Sequence, residues 1–137
     1  MSRAGGGSRG GRPVAAGHPA GRAGEEAAEA FLRARGFQIL ARRFRRFGAE
    51  VDLVARRGDT LAFVEVKMRR GRSAGSPFES VTPLKQARLA RAASAYLAEF
   101  PLLARLECRF DLVGVEIAAD GSLRLEHLPA AFTAPAG

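Results

Sequence analysis

The chain has 137 residues, 47% of them hydrophobic and 26% charged, the length and balance of one domain with a core of its own. A formal charge of +8 favours a polyanionic partner, nucleic acid before an anionic membrane. A single cysteine, Cys108, and two histidines, His18 and His127, exclude a disulfide framework and a Cys- or His-rich metal centre.

No apolar run nears the ~20 residues that span a bilayer. The basic N-terminus lacks the apolar stretch of a secretory signal. A cytoplasmic protein with no membrane partner is therefore expected. Residues 1–19 are rich in Gly, Arg, Ser and Pro and hold no acidic residue, so they are expected to be a disordered tail. Only Arg3, Arg9 and Arg12 of the basic residues lie there, and the positive excess survives without them. Residues 20–128 are expected to form a single domain and 129–137 a loose C-terminal tail.

The first element is an Ala-rich helix from Arg22 to Arg35, with Ala27, Phe31 and Ala34 on one face and Gly36 as its C-cap. Phe37 to Phe44 reads as a strand, and Gly48 turns the chain into a second, Glu50 to Ala55. A hairpin turn at Arg57-Gly58-Asp59 leads into Leu61 to Met68, the most β-like segment. A basic loop, Arg69 to Ser76, follows. Thr82-Pro83 starts a second helix that runs to about Phe100, with Leu89, Ala93, Tyr96, Leu97 and Phe100 as its buried stripe. Arg109 to Ile117 and Leu123 to Leu128 are two further strands. The order α-β-β-β-α-β-β implies an α/β fold with a mixed central sheet flanked by helices.

Certain charges sit where strands seldom place them. Asp52 lies between Val51 and Leu53; Glu65 and Lys67 alternate with Val64 and Val66. Charges in a central strand are unfavourable unless they pair or bind a metal. An antiparallel hairpin brings Asp52 near Glu65, and a divalent cation would relieve their repulsion. Carboxylate oxygens and water suit Mg²⁺ or Mn²⁺. Of 22 Lys+Arg, only Lys67 and Lys85 are lysines; a lysine, unlike an arginine, can release its proton when desolvated. Two carboxylates and a lysine are the parts of a phosphodiester hydrolysis site. The same residues would also serve as a cross-strand salt bridge on a solvated face, and spacing alone does not choose between these.

Three motifs, Gly21-x-x-Gly24-Glu25, Gly48-Ala-Glu-Val-Asp-Leu-Val54 and Phe63-Val-Glu-Val-Lys-Met-Arg69, together resemble the YraN family. The match continues through Gly75-Ser76-Pro77-Phe78-Glu79, Lys85-Gln86 and Arg109-Phe110-Asp111. That largely uncharacterised family is assigned to the restriction-endonuclease-like PD-(D/E)-x-K superfamily and is similar to archaeal Holliday-junction resolvases. The resemblance implies a restriction-endonuclease-like fold and a Mg²⁺- or Mn²⁺-dependent nuclease acting on DNA, branched or junction DNA included.

Carried over by position, it makes Asp52, Glu65 and Glu25 metal carboxylates, adds the peptide carbonyl of Val66 as a ligand, and makes Lys67 the motif lysine. Glu50 and Gln86 stand in a second tier. Arg43, where relatives tend to have Asn, and an inserted Ala49 depart from the pattern. Junction resolution needs two sites, which implies a homodimer.

Arg42, Arg43, Arg45, Arg46, Arg69, Arg70 and Arg72 flank the proposed site and suit phosphate contacts. Lys85 opens the second helix, where an anion fits better than a cation. Asp111 reads as structural, a partner for Arg109, and His127 as a surface or packing residue. Two other roles stay open: a nucleic-acid-binding module without catalysis, and an accessory domain that docks another protein.

Overall fold

A computed structural model describes residues 19–71 and 81–133. Its elements are α1 (Pro19–Ala34), β1 (Gln38–Arg46), β2 (Ala49–Arg57), β3 (Thr60–Arg70), α2 (Pro83–Glu99), a 3₁₀ turn (Pro101–Arg105), β4 (Glu107–Ile117) and β5 (Leu123–Phe132). This is the expected order, and the mixed α/β architecture is compatible with a restriction-endonuclease-like fold. The N-terminal tail before Pro19, Arg72 and the Gly75–Glu79 motif lie outside the described residues.

The five strands lie side by side in chain order. Neighbours pair antiparallel except β3 and β4, which run parallel and so need the long crossover that α2 provides. Each face of the sheet carries one helix. Beneath α2 lie Phe44, Val51, Val54, Leu61, Phe63 and Phe110, packed on Leu89, Ala92, Ala93 and Tyr96. Beneath α1 lie Leu53, Ala55, Ala62, Val64, Val66, Val113 and Val115, packed on Ala28, Leu32 and Phe37. β3 is thus covered on both faces, which is why it reads as a nearly continuous apolar run.

Several boundaries shift for local reasons. The buried ridge of α1 is Gly24, Ala28 and Leu32, one residue on from the expected face; Ala34 is exposed. Gly24 is a packing requirement, because a Cβ there would stand 1.7 Å from the Met68 sulfur. The helix ends in a Schellman motif: Phe37 N–H donates to the Leu32 carbonyl and Gly36 N–H to that of Arg33, with Gly36 at φ +93°. That motif delays the strand to Gln38 and buries Phe37. On α2, Thr82 Oγ1 accepts from Lys85 N–H at 3.2 Å and Pro83 occupies the first turn, as expected. Phe100 is 47% exposed, because the chain has already left the helix there.

The C-terminal expectation needs correction. Residues 129–132 belong to β5 and are not a loose tail. Asp111, with no exposed surface, ties β4 to β5. Its carboxylate accepts from Arg109 Nε at 2.9 Å, from His127 Nε2 at 2.8 Å and from Ala130 N–H at 2.9 Å. Ala130 adopts φ +51° within a register shift between β4 and β5, and Phe132 stacks on Phe110 with centroids 5.4 Å apart. His127 is buried against Phe37 as well as Asp111. It is a packing residue, not a surface one.

These hydrogen bonds hold the Asp111 carboxyl below its ordinary value despite burial that pushes it up. Its ionised form therefore contributes stability above the unfolded-state pKa near 4, lost as pH falls through the lower folded value. Asp111→Asn should cost about 3 kcal/mol at pH 7, the scale of a broken buried pair. It should also flatten the fall in stability below about pH 4; urea denaturation at pH 7 and pH 3 measures both.

Candidate metal and nucleic-acid site

The site forms where β2 and β3 part. Their backbone ladder runs from Arg57↔Thr60 to Leu53↔Val64 and stops there. At the next step the Val66 N–H donates to Asp52 Oδ2 at 2.7 Å, so a side chain replaces the backbone acceptor. Alternation also slips in β2: Val51 and Val54 enter the α2 core while Leu53 enters the α1 core. The strands open at this point, and Asp52 and Glu65 face one another across the gap within hydrogen-bonding reach.

Electrostatics there are unfavourable to two carboxylates. Burial first, then repulsion from Glu65, pushes the Asp52 carboxyl up to about 8; Glu25 and Glu50 add to this and the Val66 N–H opposes it. Glu65 is also raised, chiefly by burial, although Lys85 and Lys67 draw it down. Lys67 is lowered by burial and by Lys85, whose side chain lies within reach, against the attraction of Glu65 and Asp52. The α2 N-terminus thus delivers Lys85 to the residues that β2 and β3 contribute. Glu50 is near enough to act on both acids and lies 3.3 Å from Arg45.

The donor chemistry fits a hard divalent cation. Mg²⁺ is commonly held by one or two carboxylates with water completing its shell, and Asp52 with Glu65 supplies that number.

Glu25 does not join them. Among the described residues no group of three or more His, Cys, Asp or Glu side chains is placed to share a metal. Glu25 lines one groove with Asp52, but its Oε1 accepts from Arg43 Nε and NH2 at 2.9 and 2.6 Å. Arg43 itself sits at φ +50° in β1, which turns its side chain toward α1. A shorter side chain there would not reach. The main-chain contact observed at Val66 is its N–H, on Asp52.

Most arginines near the site already have acidic partners. Arg42 and Arg33 share Glu29. Arg46 binds Glu99 at 2.6 Å and lies over the Phe44 ring, tying the β1–β2 hairpin to the C-terminal end of α2. Arg69 is half-buried and Arg70 exposed at the end of β3. Gln86 Nε2 donates to the Val81 carbonyl at 3.1 Å and braces the start of α2.

Sequence reasoning allowed His127 a packing role but missed its bond to Asp111, since a lone histidine in an edge strand carries no signal of a buried acid on the neighbouring strand. It also missed that Arg43 would claim Glu25. The spacing of 18 residues between them gives no local clue.

Because Asp52 is raised, its folded form holds a proton that the unfolded chain has released. Stability should therefore fall as pH rises from about 4 toward 8. Asp52→Asn keeps the acceptor for Val66 and removes the charge. In chelator at pH 8 its melting temperature should exceed the wild type's by at least ~4 °C, the effect of about 1 kcal/mol in a domain of this size. An unchanged melting temperature would show that the two carboxyls do not repel.

Among the described residues no helix is long and apolar enough to cross a membrane. The family model for the uncharacterised protein family UPF0102 matches residues 24–115. A UPF0102 protein of Symbiobacterium thermophilum is 52% identical over 114 residues, 83% of this chain and 96% of that one. Another from Chlorobium phaeobacteroides is 44% identical over 121 residues, 84% and 94% of the two chains. Among solved structures, Pyrococcus furiosus SfsA in complex with Ca²⁺ aligns at a TM-score of 0.33 and 15% identity. It covers 79% of this chain and 62% of that one, a likeness too weak to bear on function. The matched segment contains both hairpin motifs, and the chain belongs to the UPF0102 family, the YraN family that its motifs resemble.

Proposed function

We propose that this protein is a metal-dependent nuclease that hydrolyses phosphodiester bonds in DNA, branched DNA included. The observation that carries the reading is the half-buried Asp52–Glu65 pair in the opening between β2 and β3, with Lys67 beside it. Two repelling acids held together by the fold are stabilised by a cation between them. Mg²⁺ or Mn²⁺, bound by Asp52 and Glu65, would polarise the scissile phosphate and offset its growing negative charge.

The chain's own groups account for the remaining work. The Lys67 amine, made easier to deprotonate by burial and by Lys85, accepts a proton from the attacking water. The water oxygen then bonds to phosphorus as the P–O bond to the leaving strand breaks, and the leaving oxygen takes a proton from solvent water. The Lys85 side chain, at the start of α2, receives a phosphate oxygen. Arg70, exposed at the strand end, supplies affinity without sequence preference. A second reading, a nucleic-acid-binding module without turnover, is favoured by one contact: Glu25 is already paired with Arg43.

Cleavage of junction, flap, duplex and single-stranded DNA with Mg²⁺ or Mn²⁺ tests the two readings. The nuclease reading expects wild-type cleavage that chelator abolishes and that falls at least ~100-fold in Asp52→Ala, the scale of losing a main catalytic group. Salt-sensitive binding with no cleavage of any substrate would select the binding module. Arg43→Asn should then raise or restore cleavage if Glu25 is the missing acid.

A further inference from the structure

The face that carries Glu65 and Lys67 extends past the site. Val64, Val66, Val113 and Val115 point into the α1 core and Leu125 packs against it. By strand alternation Lys67, Arg69, Gly114, Glu116, Arg124 and Glu126 share the opposite face. Lys67 pairs with Gly114 across β3–β4, and Gly114 with Glu126 across β4–β5. Strands lie ~4.8 Å apart, so the Lys67 and Glu126 backbones are separated by about 10 Å. A cavity of about 170 Å³ opens on this face, with Gly114 as its floor and Arg69, Glu116, Arg124 and Glu126 around it. A glycine inside a strand marks a place where another group can come close to the backbone.

The lining combines guanidinium donors with carboxylate acceptors around a space suited to one heterocyclic base and too small for a base pair. An arginine pairs with two acceptors side by side, and a carboxylate with two donors side by side. Guanine alone of the DNA bases offers both: O6 and N7 to an arginine, and N1–H with the N2 amino group to a carboxylate. Adenine presents an acceptor at N1 and thymine two carbonyls, each repelled by a carboxylate. In a duplex, the N1–H and N2 edge of guanine is occupied by cytosine, so only an unpaired guanine can use it.

Resting on the nuclease reading above, we propose that this pocket receives an unpaired guanine base from the strand whose phosphate lies at Glu65 and Lys67. The substrate class is then DNA with a single-stranded or splayed guanine next to the scissile bond. Arg124 and Glu126 are its specificity determinants, set apart from the hydrolytic groups.

Binding measured without divalent cation, where nothing is cut, tests this separately from activity. The probes are an oligothymidine strand and the same strand carrying one guanine, inosine or adenine, together with free guanosine monophosphate as competitor. The guanine strand should bind on the order of tenfold tighter than the adenine strand, the scale of one good base contact. Inosine, which lacks the N2 amino group, should fall between. The double variant Arg124→Ala/Glu126→Gln should lose the preference and retain salt-dependent binding, with its fold checked by circular dichroism. Equal affinity for all strands would overturn the pocket and leave the nuclease reading intact. Failure to bind any strand at low salt would overturn both. Free nucleotide binding more tightly than the guanine strand would overturn the assignment to a nucleic-acid strand.

Discussion

The hydrogen bond from Val66 N–H to the Asp52 carboxylate organises the candidate site of this protein. Up to Leu53↔Val64, β2 and β3 are an ordinary antiparallel ladder. One step later a side chain takes the amide, the backbone carbonyls of β2 are released from the ladder, and the strands open. A buried amide without an acceptor would cost 1–3 kcal/mol, so Asp52 is held in place by the same need that the opened ladder creates. Glu65, whose position follows from the pleat of β3, then meets it across the gap.

The two sheet faces divide the labour. On the α1 face the charges are satisfied internally: Asp111 joins Arg109, His127 and the kinked part of β5, a closed network that shapes the end of the domain. On the other face, Asp52, Glu65, Lys67 and Lys85 come from three elements and shift one another's protonation. Both sets contain an aspartate taken largely out of water, yet their carboxyls shift in opposite directions. Donor hydrogen bonds decide the first; burial, and then neighbouring acids, decide the second. Acids perturbed by burial and by one another are what mark this opening as the candidate site.

Much of this was legible from the residues. The element order followed from periodicity and from punctuation at Gly36, Gly48, Gly58 and Pro83. Asp52, Glu65 and Lys67 stood out because strands rarely bury charge. What was not legible depended on contacts distant in sequence. Phe132 and Ala130 read as tail because their reasons to order, Phe110 and Asp111, lie on another strand. The face of α1 was misread by one residue because Gly24, which packs against Met68, carries no hydrophobic signal. Glu25 was assigned to the metal by motif, and only the structure brings Arg43 against it.

The central claim is that the fold forces Asp52 and Glu65 together and that a divalent cation relieves the strain. Carboxyl-carbon NMR of Asp52 as a function of pH measures this directly. Without metal the account predicts a titration near 8, and with saturating Mg²⁺ a midpoint displaced to well below neutrality. A midpoint below about 5 that is indifferent to Mg²⁺ would contradict it.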